Sequence, residues 1–233
     1  MLGPVDYALW GMSFCLEVGV VVCSIARKEF FRYITLNLYM LAAASATVGH
    51  YFFFERFGLT SLEYFYFYYY SDAVLTILLY FCIIQLYQHI FEEMGVNTHI
   101  RGAALLLLVG TAWVSFMMVR QHENHMTERF VVELSQNLYF VGLVLTYVLW
   151  GAVMKLRETR TRIIQLVLSL GIYFSAYSAT YALRNLFPHL EFTRTILPPL
   201  VGTWLPVAWS YTMWKVPAEA RLATARLAAT FSR

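Results

Sequence analysis

The chain has 233 residues, of which 60% are apolar and only 13% are charged, and its formal net charge at pH 7 is +3. Soluble domains carry roughly 25% charged residues, so this composition excludes an ordinary soluble domain and is typical of a polytopic membrane protein. The basic residues are scattered over short segments and form no single patch, so we expect no nucleic acid partner.

Seven apolar runs are each long enough for a spanning helix, which needs about 20 mostly apolar residues. In chain order they are Tyr7–Ala26, Tyr33–Phe54, Tyr70–Phe91, Ala103–Val119, Leu134–Met154, Ile163–Leu186 and Ile196–Trp214. The third run begins earlier if the aromatic residues before Tyr70 are helical. The sequence therefore predicts an all-α fold, a polytopic seven-transmembrane-helix bundle in residues 1–215, followed by a short basic amphipathic tail in residues 216–233.

The lysines and arginines are divided unequally between the two sides that these spans define. Arg56, Arg120, Arg129, Arg184 and Arg194 fall on one side, and the other twelve fall on the opposite side. The side richer in basic residues faces the cytoplasm. We therefore expect a multi-pass protein of the cell (inner or plasma) membrane, with its N-terminus outside and its C-terminus in the cytoplasm.

The third run opens with an unbroken row of aromatic residues, Tyr64–Tyr70, and then reaches an acid, Asp72, with Thr76 one turn later. Tyrosine and tryptophan side chains collect at the membrane interface, whereas an acid inside a span is costly and usually has a partner or a task. Asp72 is therefore either part of a ligand-binding site or an interface anchor. A helix that begins near Tyr64 favours the site, because Asp72 then lies about 12 Å along the helix axis.

Two further polar residues are expected at the depth of Asp72. His50 ends the second span and Arg184 ends the sixth span on the same side. An acid, an imidazole and a guanidinium at one depth are able to form a polar cluster at an outward-facing mouth. Three separate interface anchors are the alternative.

A row of tyrosines on the sixth span leads up to Arg184. Tyr173, Tyr177 and Tyr181 follow one another at intervals of four residues, so they lie on one helix face. This pattern predicts the lining of an outward-opening cavity, or simple helix packing with the hydroxyls bonded across the interface.

Glu17 lies near the middle of the first span. We consider two roles for it, a proton-accepting or ligand-binding group and a neutral acid bonded to a neighbouring helix.

In the seventh span, Pro206 lies four residues after Gly202, whose carbonyl loses its helical hydrogen bond, so a kink is expected there. The kink is either a hinge or a static bend.

No metal or cofactor site is expected. His122, His125 and Glu128 share a face if their segment is helical, but the spacing is not a strong zinc signature, so a solvated loop is the better interpretation. His50 and His89 lie at opposite depths and cannot bind one haem, and the seventh span has no lysine at its middle for a retinal Schiff base.

The best functional interpretation is a receptor- or sensor-like bundle that binds a small molecule or lipid in an outward-facing cavity and signals to a partner. A scaffolding subunit of a larger membrane complex and a proton-coupled small-solute transporter that uses Glu17 are the alternatives. We expect membrane lipids, a small-molecule ligand and a membrane or cytoplasmic protein as partners. No nucleophile–base pair stands out, so an enzyme is not favoured.

Overall fold

The computed structural model describes residues 4–58, 61–91, 97–120, 126–155, 160–187 and 197–217. Within these ranges the protein is all-helical, as predicted, with seven α-helices that match the seven apolar runs one to one. The predicted C-terminal tail after residue 217 and the histidines at positions 122 and 125 lie outside the described residues. The helices are α1 (Pro4–Ala26), α2 (Ile34–Phe57), α3 (Leu62–Ile90), α4 (Asn97–Arg120), α5 (Met126–Lys155), α6 (Thr161–Leu186) and α7 (Leu197–Lys215).

Four of these helices are long and apolar enough to cross a membrane, judged by length and composition alone. They contain the segments Leu62–Ile90, Gly102–Val119, Phe130–Lys155 and Thr161–Leu183, and α1 adds a shorter apolar stretch, Trp10–Ala26. Large apolar side chains also cover the outside of the bundle, since exposures of 61% for Trp113, 61% for Val144 and 64% for Tyr147 would be unusual in water. These features are consistent with a membrane protein.

Six helices close into a ring, packed in the order α1–α2–α3–α5–α6–α7 and back to α1. The fourth helix lies outside this ring against α5 and α3, and α3 also contacts α6 across the interior. Three helices that are distant in sequence, α3, α5 and α6, are thereby brought to one place.

Helix α2 runs opposite to α1, and α6 runs opposite to α7, as contacts at the helix ends show. Where α1 and α7 finish, Arg162 at the start of α6 pairs with Glu29 and donates to the carbonyl of Val216. At the opposite end, the ring of Tyr7 in α1 contacts that of Tyr51 near the end of α2. This alternation is what successive spans require.

The aromatic row before Tyr70 is helical, which sets the depth of Asp72. Helix α3 begins at Leu62, eight residues before the predicted start at Tyr70, and the hydroxyl of the N-cap Ser61 accepts a hydrogen bond from the backbone N–H of Tyr64 at 3.1 Å. Asp72 thus lies about 15 Å along the axis from the first residue of α3. This is the position that favours a site over an interface anchor.

Close approach between neighbouring helices depends on two glycines. A Cβ at Gly142 in α5 would overlap the ring of Phe174 in α6, and a Cβ at Gly49 in α2 would overlap the ring of Phe67 in α3. The missing side chains let both rings lie directly against the facing backbone, beside the residues of the candidate site.

Candidate functional site

Asp72 is bound by a side chain of α5 that the sequence did not indicate. The hydroxyl of Tyr139 donates to Oδ1 of Asp72 at 3.3 Å. Thr76, which was predicted to act with Asp72, instead donates its hydroxyl to the backbone carbonyl of Asp72 at 2.8 Å and is buried. The carboxyl of Asp72 therefore faces α5, while the Thr76 hydroxyl donates its hydrogen bond within α3.

The three tyrosines predicted to share a face of α6 gather around Tyr139. The rings of Tyr139 and Tyr177 are stacked, with centroids 4.7 Å apart and planes 3° apart. Tyr181 and Tyr173 also contact the ring of Tyr139, with centroid distances of 5.7 Å and 6.3 Å. Because Tyr139 binds Asp72 directly, the acid and the tyrosine face predicted separately belong to one cluster. We call Asp72, Tyr139, Tyr173, Tyr177 and Tyr181 the tyrosine–aspartate cluster.

On its buried side, the cluster contacts residues of α2 and α7. Tyr39 of α2 is buried, its side chain lies against that of Tyr173, and its ring meets Trp209 of α7 edge to face at 5.7 Å. On the α7 side, the hydroxyl of Tyr177 lies 3.6 Å from the position that a Cβ on Gly202 would occupy. Members of the cluster therefore contact both helices that flank α1 in the ring.

One side of the cluster is accessible. Tyr139 and Tyr173 are buried, whereas Asp72, Tyr177 and Tyr181 are each only partly buried. Tyr68, one turn before Asp72 on α3 and within electrostatic reach of its carboxyl, is 41% exposed. The open side thus faces the end of the bundle at which α3 begins.

His50 reaches the neighbourhood of Asp72 but bonds to the residue beside it. Its Nε2 lies 3.0 Å from the hydroxyl oxygen of Ser71, and its ring stacks on Tyr68 with a centroid distance of 5.5 Å. Since the Ser71 hydroxyl already donates to the Tyr68 carbonyl at 2.9 Å, Nε2 of His50 must donate, and His50 then carries a proton on Nε2. The predicted cluster of His50 with Asp72 is therefore indirect.

Arg184, the third member of the predicted mouth, lies in α6 one turn after Tyr181. Its side chain lies outside the part of the chain that the structure describes, and so does the predicted contact between Arg184 and Asp72.

Two serine hydroxyls beside the cluster are able to form hydrogen bonds that the described residues do not supply. The hydroxyl oxygens of Ser135 and Ser178 are buried and have no hydrogen-bond partner among the described residues. Ser135 lies one turn before Tyr139 on α5, and its hydroxyl is close to the carboxyl of Asp72 without a hydrogen bond of normal geometry. Buried hydroxyls without partners are rare in folded proteins, so a group that supplies one is expected there.

Glu17 has a local partner in the neighbouring helix. It is 6% exposed, and the hydroxyl of Thr47 in α2 donates to its Oε2 at 3.1 Å. The adjacent carbonyl of Leu16 accepts a hydrogen bond from Ser210 of α7 at 3.2 Å. This arrangement matches the prediction of an acid bonded across to a neighbouring helix, and no described contact joins Glu17 to the tyrosine–aspartate cluster.

The predicted hinge in α7 is held on both sides by α6. Pro206 lies inside a continuous helix, and the tryptophans before and after it bind the same residue. The indole N–H of Trp204 donates to the Ser169 carbonyl at 3.1 Å, and that of Trp209 donates to the Ser169 hydroxyl at 2.8 Å. Any bending at Pro206 must therefore carry α6 with it or break one of these bonds.

Charged groups close the end of the bundle at which α1 and α7 finish. Arg162 is 1% exposed, forms an ion pair with Glu29 and donates its Nε to the carbonyl of Val216 at 3.0 Å. Arg27 donates to the same carbonyl at 3.4 Å. We call Glu29, Arg162 and Val216 the Arg162 latch; it ties α1 and α6 to the residue that follows α7.

Metal-competent side chains are dispersed in the described part of the chain, where no three of them come together. His89 stacks on Tyr33 near the Arg162 latch, at the opposite end of the bundle from His50. A groove of about 500 Å³ also lies on the outer surface between α5 and α6, lined mainly by apolar residues such as Trp150 and Leu168.

Comparison of the chain with protein-family models, curated proteins and solved structures finds no match.

Proposed function

We propose that the chain is a seven-span protein of the cell membrane, with its N-terminus outside, that binds a small molecule in a cavity open to the outside and signals to a partner. The helix lengths support seven spans, because even the shortest, α7 with 19 residues, covers nearly the 30 Å of a bilayer's hydrocarbon core at about 1.5 Å per residue. The unequal division of basic residues supports the orientation.

The observation that carries the binding role is the contact of Asp72 with the aromatic face of α5 and α6. Asp72 lies well inside α3 and accepts from Tyr139, whose ring contacts those of Tyr177 and Tyr181. Asp72, Tyr177 and Tyr181 are each partly exposed. An acid used only as an interface anchor would lie near the helix start and face the lipid headgroups. Convergent polar groups in an aromatic-lined recess are typical of small-molecule sites.

A path for the signal follows from the packing of α6 and α7. Tyr177 faces Gly202 of α7, and two tryptophans further along that helix are bonded to Ser169 of α6. Helix α7 ends next to Val216, whose carbonyl is held by the Arg162 latch. A ligand that shifts Tyr177 would push α6 and α7 together, and the motion would reach the cytoplasmic end at this latch.

Native mass spectrometry of the full chain, purified in a mild neutral detergent, tests the proposal. We expect a small-molecule adduct on the wild type and on Glu63→Gln, because Glu63 is an exposed acid in the first turn of α3. The adduct should be lost from Asp72→Asn. An adduct retained by Asp72→Asn would contradict the proposal, and a stoichiometric protein partner with no adduct would favour the scaffolding alternative.

A further inference from the structure

We propose that the ligand of the tyrosine–aspartate cluster is an ammonium group, either of a small organic amine or of a phospholipid headgroup; this rests on the proposed binding function and names its ligand class. The cluster joins one carboxyl group to the faces and hydroxyls of several tyrosines, and one side of it is open.

The charge of the cluster favours a cation. Asp72 is the acid of the cluster, and the described side chains at its carboxyl are neutral hydroxyls: Tyr139 donates to it and Ser135 lies close. An ionised acid within a span is costly, and neutral hydroxyls offset only part of that cost. A ligand with a positive charge would offset the remainder by pairing with the carboxylate, whereas an anionic ligand would be repelled by it.

The aromatic surroundings favour an organic ammonium over a metal ion. Tyr68, Tyr139 and Tyr177 all lie within electrostatic reach of the Asp72 carboxyl. Tyrosine faces attract an ammonium group within about 6 Å of the ring centroid, and the attraction strengthens where water is excluded. A small inorganic cation such as Mg²⁺ or Ca²⁺ would require several oxygen ligands, which rings do not supply.

The polar atoms beside the cluster complement an amine that carries N–H or O–H groups. The Ser135 hydroxyl, close to Asp72 and without a hydrogen bond of normal geometry to any described residue, is able to accept from such a group. Because the exposed Tyr68 lies one turn nearer the start of α3 than Asp72, the ammonium would arrive from that side, out of the water phase or from a headgroup in the outer leaflet. These two sources present the same chemistry to Asp72 and Tyr177.

Choline and its uncharged isostere 3,3-dimethylbutan-1-ol test the inference, because they differ in one atom and in charge. The full chain in a neutral detergent is titrated with each by isothermal calorimetry, at constant ionic strength. We expect choline to bind the wild type and the isostere to bind about tenfold more weakly or not at all. Sodium chloride in place of choline should give no binding heat.

Variants locate the choline site. Asp72→Asn should weaken choline binding about tenfold or more, and Tyr177→Leu should weaken it several-fold with the acid still present. Tyr147→Leu is the matched control, since Tyr147 is a tyrosine of α5 that is 64% exposed on the outer surface and should leave choline binding unchanged. Circular dichroism of each variant verifies that it is folded.

The remaining outcomes separate the two proposals. Equal binding of choline and its isostere at this site would overturn the ammonium class and keep the small-molecule site. No binding of either compound would overturn the ammonium class, and no binding together with no native adduct would overturn both proposals. Choline binding that appears only in Arg184→Gln would mean that Asp72 already has an internal cation, and would also overturn the inference.

Nanodiscs distinguish the two sources of the ammonium group. Choline is titrated into the protein in discs of phosphatidylglycerol diluted with an uncharged glycolipid and in discs diluted equally with phosphatidylethanolamine, so that both surfaces carry the same charge. Weaker apparent choline binding in the second kind of disc would assign the site to a lipid headgroup, and equal binding would assign it to a free amine. Both results support an ammonium site.

Discussion

The charged side chains within the bundle have different kinds of partner. Arg162 has a counter-ion, Glu29, and bonds to a backbone carbonyl. Glu17 and Asp72 are bonded to hydroxyls, those of Thr47 and Tyr139. Of the two acids, Glu17 is buried and Asp72 is partly open. The pair at Arg162 is therefore structural, and Asp72 is the acid that the proposed ligand would meet.

Loss of Arg162 should destabilise the bundle. Arg162→Gln leaves the Glu29 carboxylate without its counter-ion, and breaking one partner of a buried ion pair costs about 3–5 kcal/mol. We therefore expect a clearly lower melting temperature in detergent, measured by circular dichroism. Arg32→Gln is the control, because Arg32 is exposed and its substitution should change stability by no more than about 0.5 kcal/mol.

Removal of both charges distinguishes a charge effect from lost packing. The double variant Glu29→Gln with Arg162→Gln should recover part of the lost stability, since no uncompensated charge then remains. A melting temperature of Arg162→Gln equal to that of the wild type would show that the Arg162 latch does not hold this end of the bundle.

At the scale of helices, α5 and α6 approach each other closely at Gly142. Gly142 lets the ring of Phe174 lie against α5, and Phe174 is fully buried and meets Tyr139 at a centroid distance of 6.1 Å. The register of these two helices thus positions Tyr139 over Tyr177. A change in this contact should affect stability and ligand binding together.

The substitution Gly142→Ala tests that register. The added Cβ overlaps Phe174, which is enclosed, so we expect a loss of about 1–3 kcal/mol in unfolding free energy and weaker choline binding. Gly151→Ala in the same helix is the matched control: its Cβ meets nothing within 4 Å, and alanine favours a helix by up to about 1 kcal/mol. Equal melting temperatures for the two variants would contradict the described packing.

Helix positions could be predicted from the sequence, because the length of an apolar run is a local property. The sequence leaves the start of α3 open between Tyr64 and Tyr70, because a row of tyrosines and phenylalanines resembles an interface segment until the cap at Ser61 is seen to begin a helix there. Tyr139 was missed because it lies among apolar residues of α5 with no pattern of its own. Its role depends on the order of helices in the ring, which brings α5 between α3 and α6 and has no local signal.

The whole molecule combines a closed end with an open one. Glu29, Arg162 and the carbonyl of Val216 tie together the end at which α1 and α7 finish. In the half of the bundle towards the other end, Asp72 and Tyr177 are partly exposed. In the proposed orientation the open end faces outside the cell, so a ligand would enter from there and its effect would be read at the closed end.

Two positions at one depth distinguish a water-filled recess from a lipid-facing surface. Tyr139 bonds to Asp72 and stacks on Tyr177, so these three side chains lie at the same depth along the bundle axis. Phe140 follows Tyr139 directly and is 43% exposed on the outside of the bundle. Both Tyr177 and Phe140 are thus accessible, but only Tyr177 should meet water if the account is correct.

The most direct test of an outward-facing site is the reactivity of cysteines placed at these two positions. Each is introduced into a chain in which Cys15, Cys23 and Cys82 are replaced by alanine. A charged, membrane-impermeant methanethiosulfonate is then applied to intact cells. We predict that Tyr177→Cys reacts at least about tenfold faster than Phe140→Cys, because thiolates form in water and not in hydrocarbon. Choline should slow the reaction of Tyr177→Cys. Equal rates at the two positions, or a reaction of Tyr177→Cys only from the cytoplasmic side of inverted vesicles, would contradict the account.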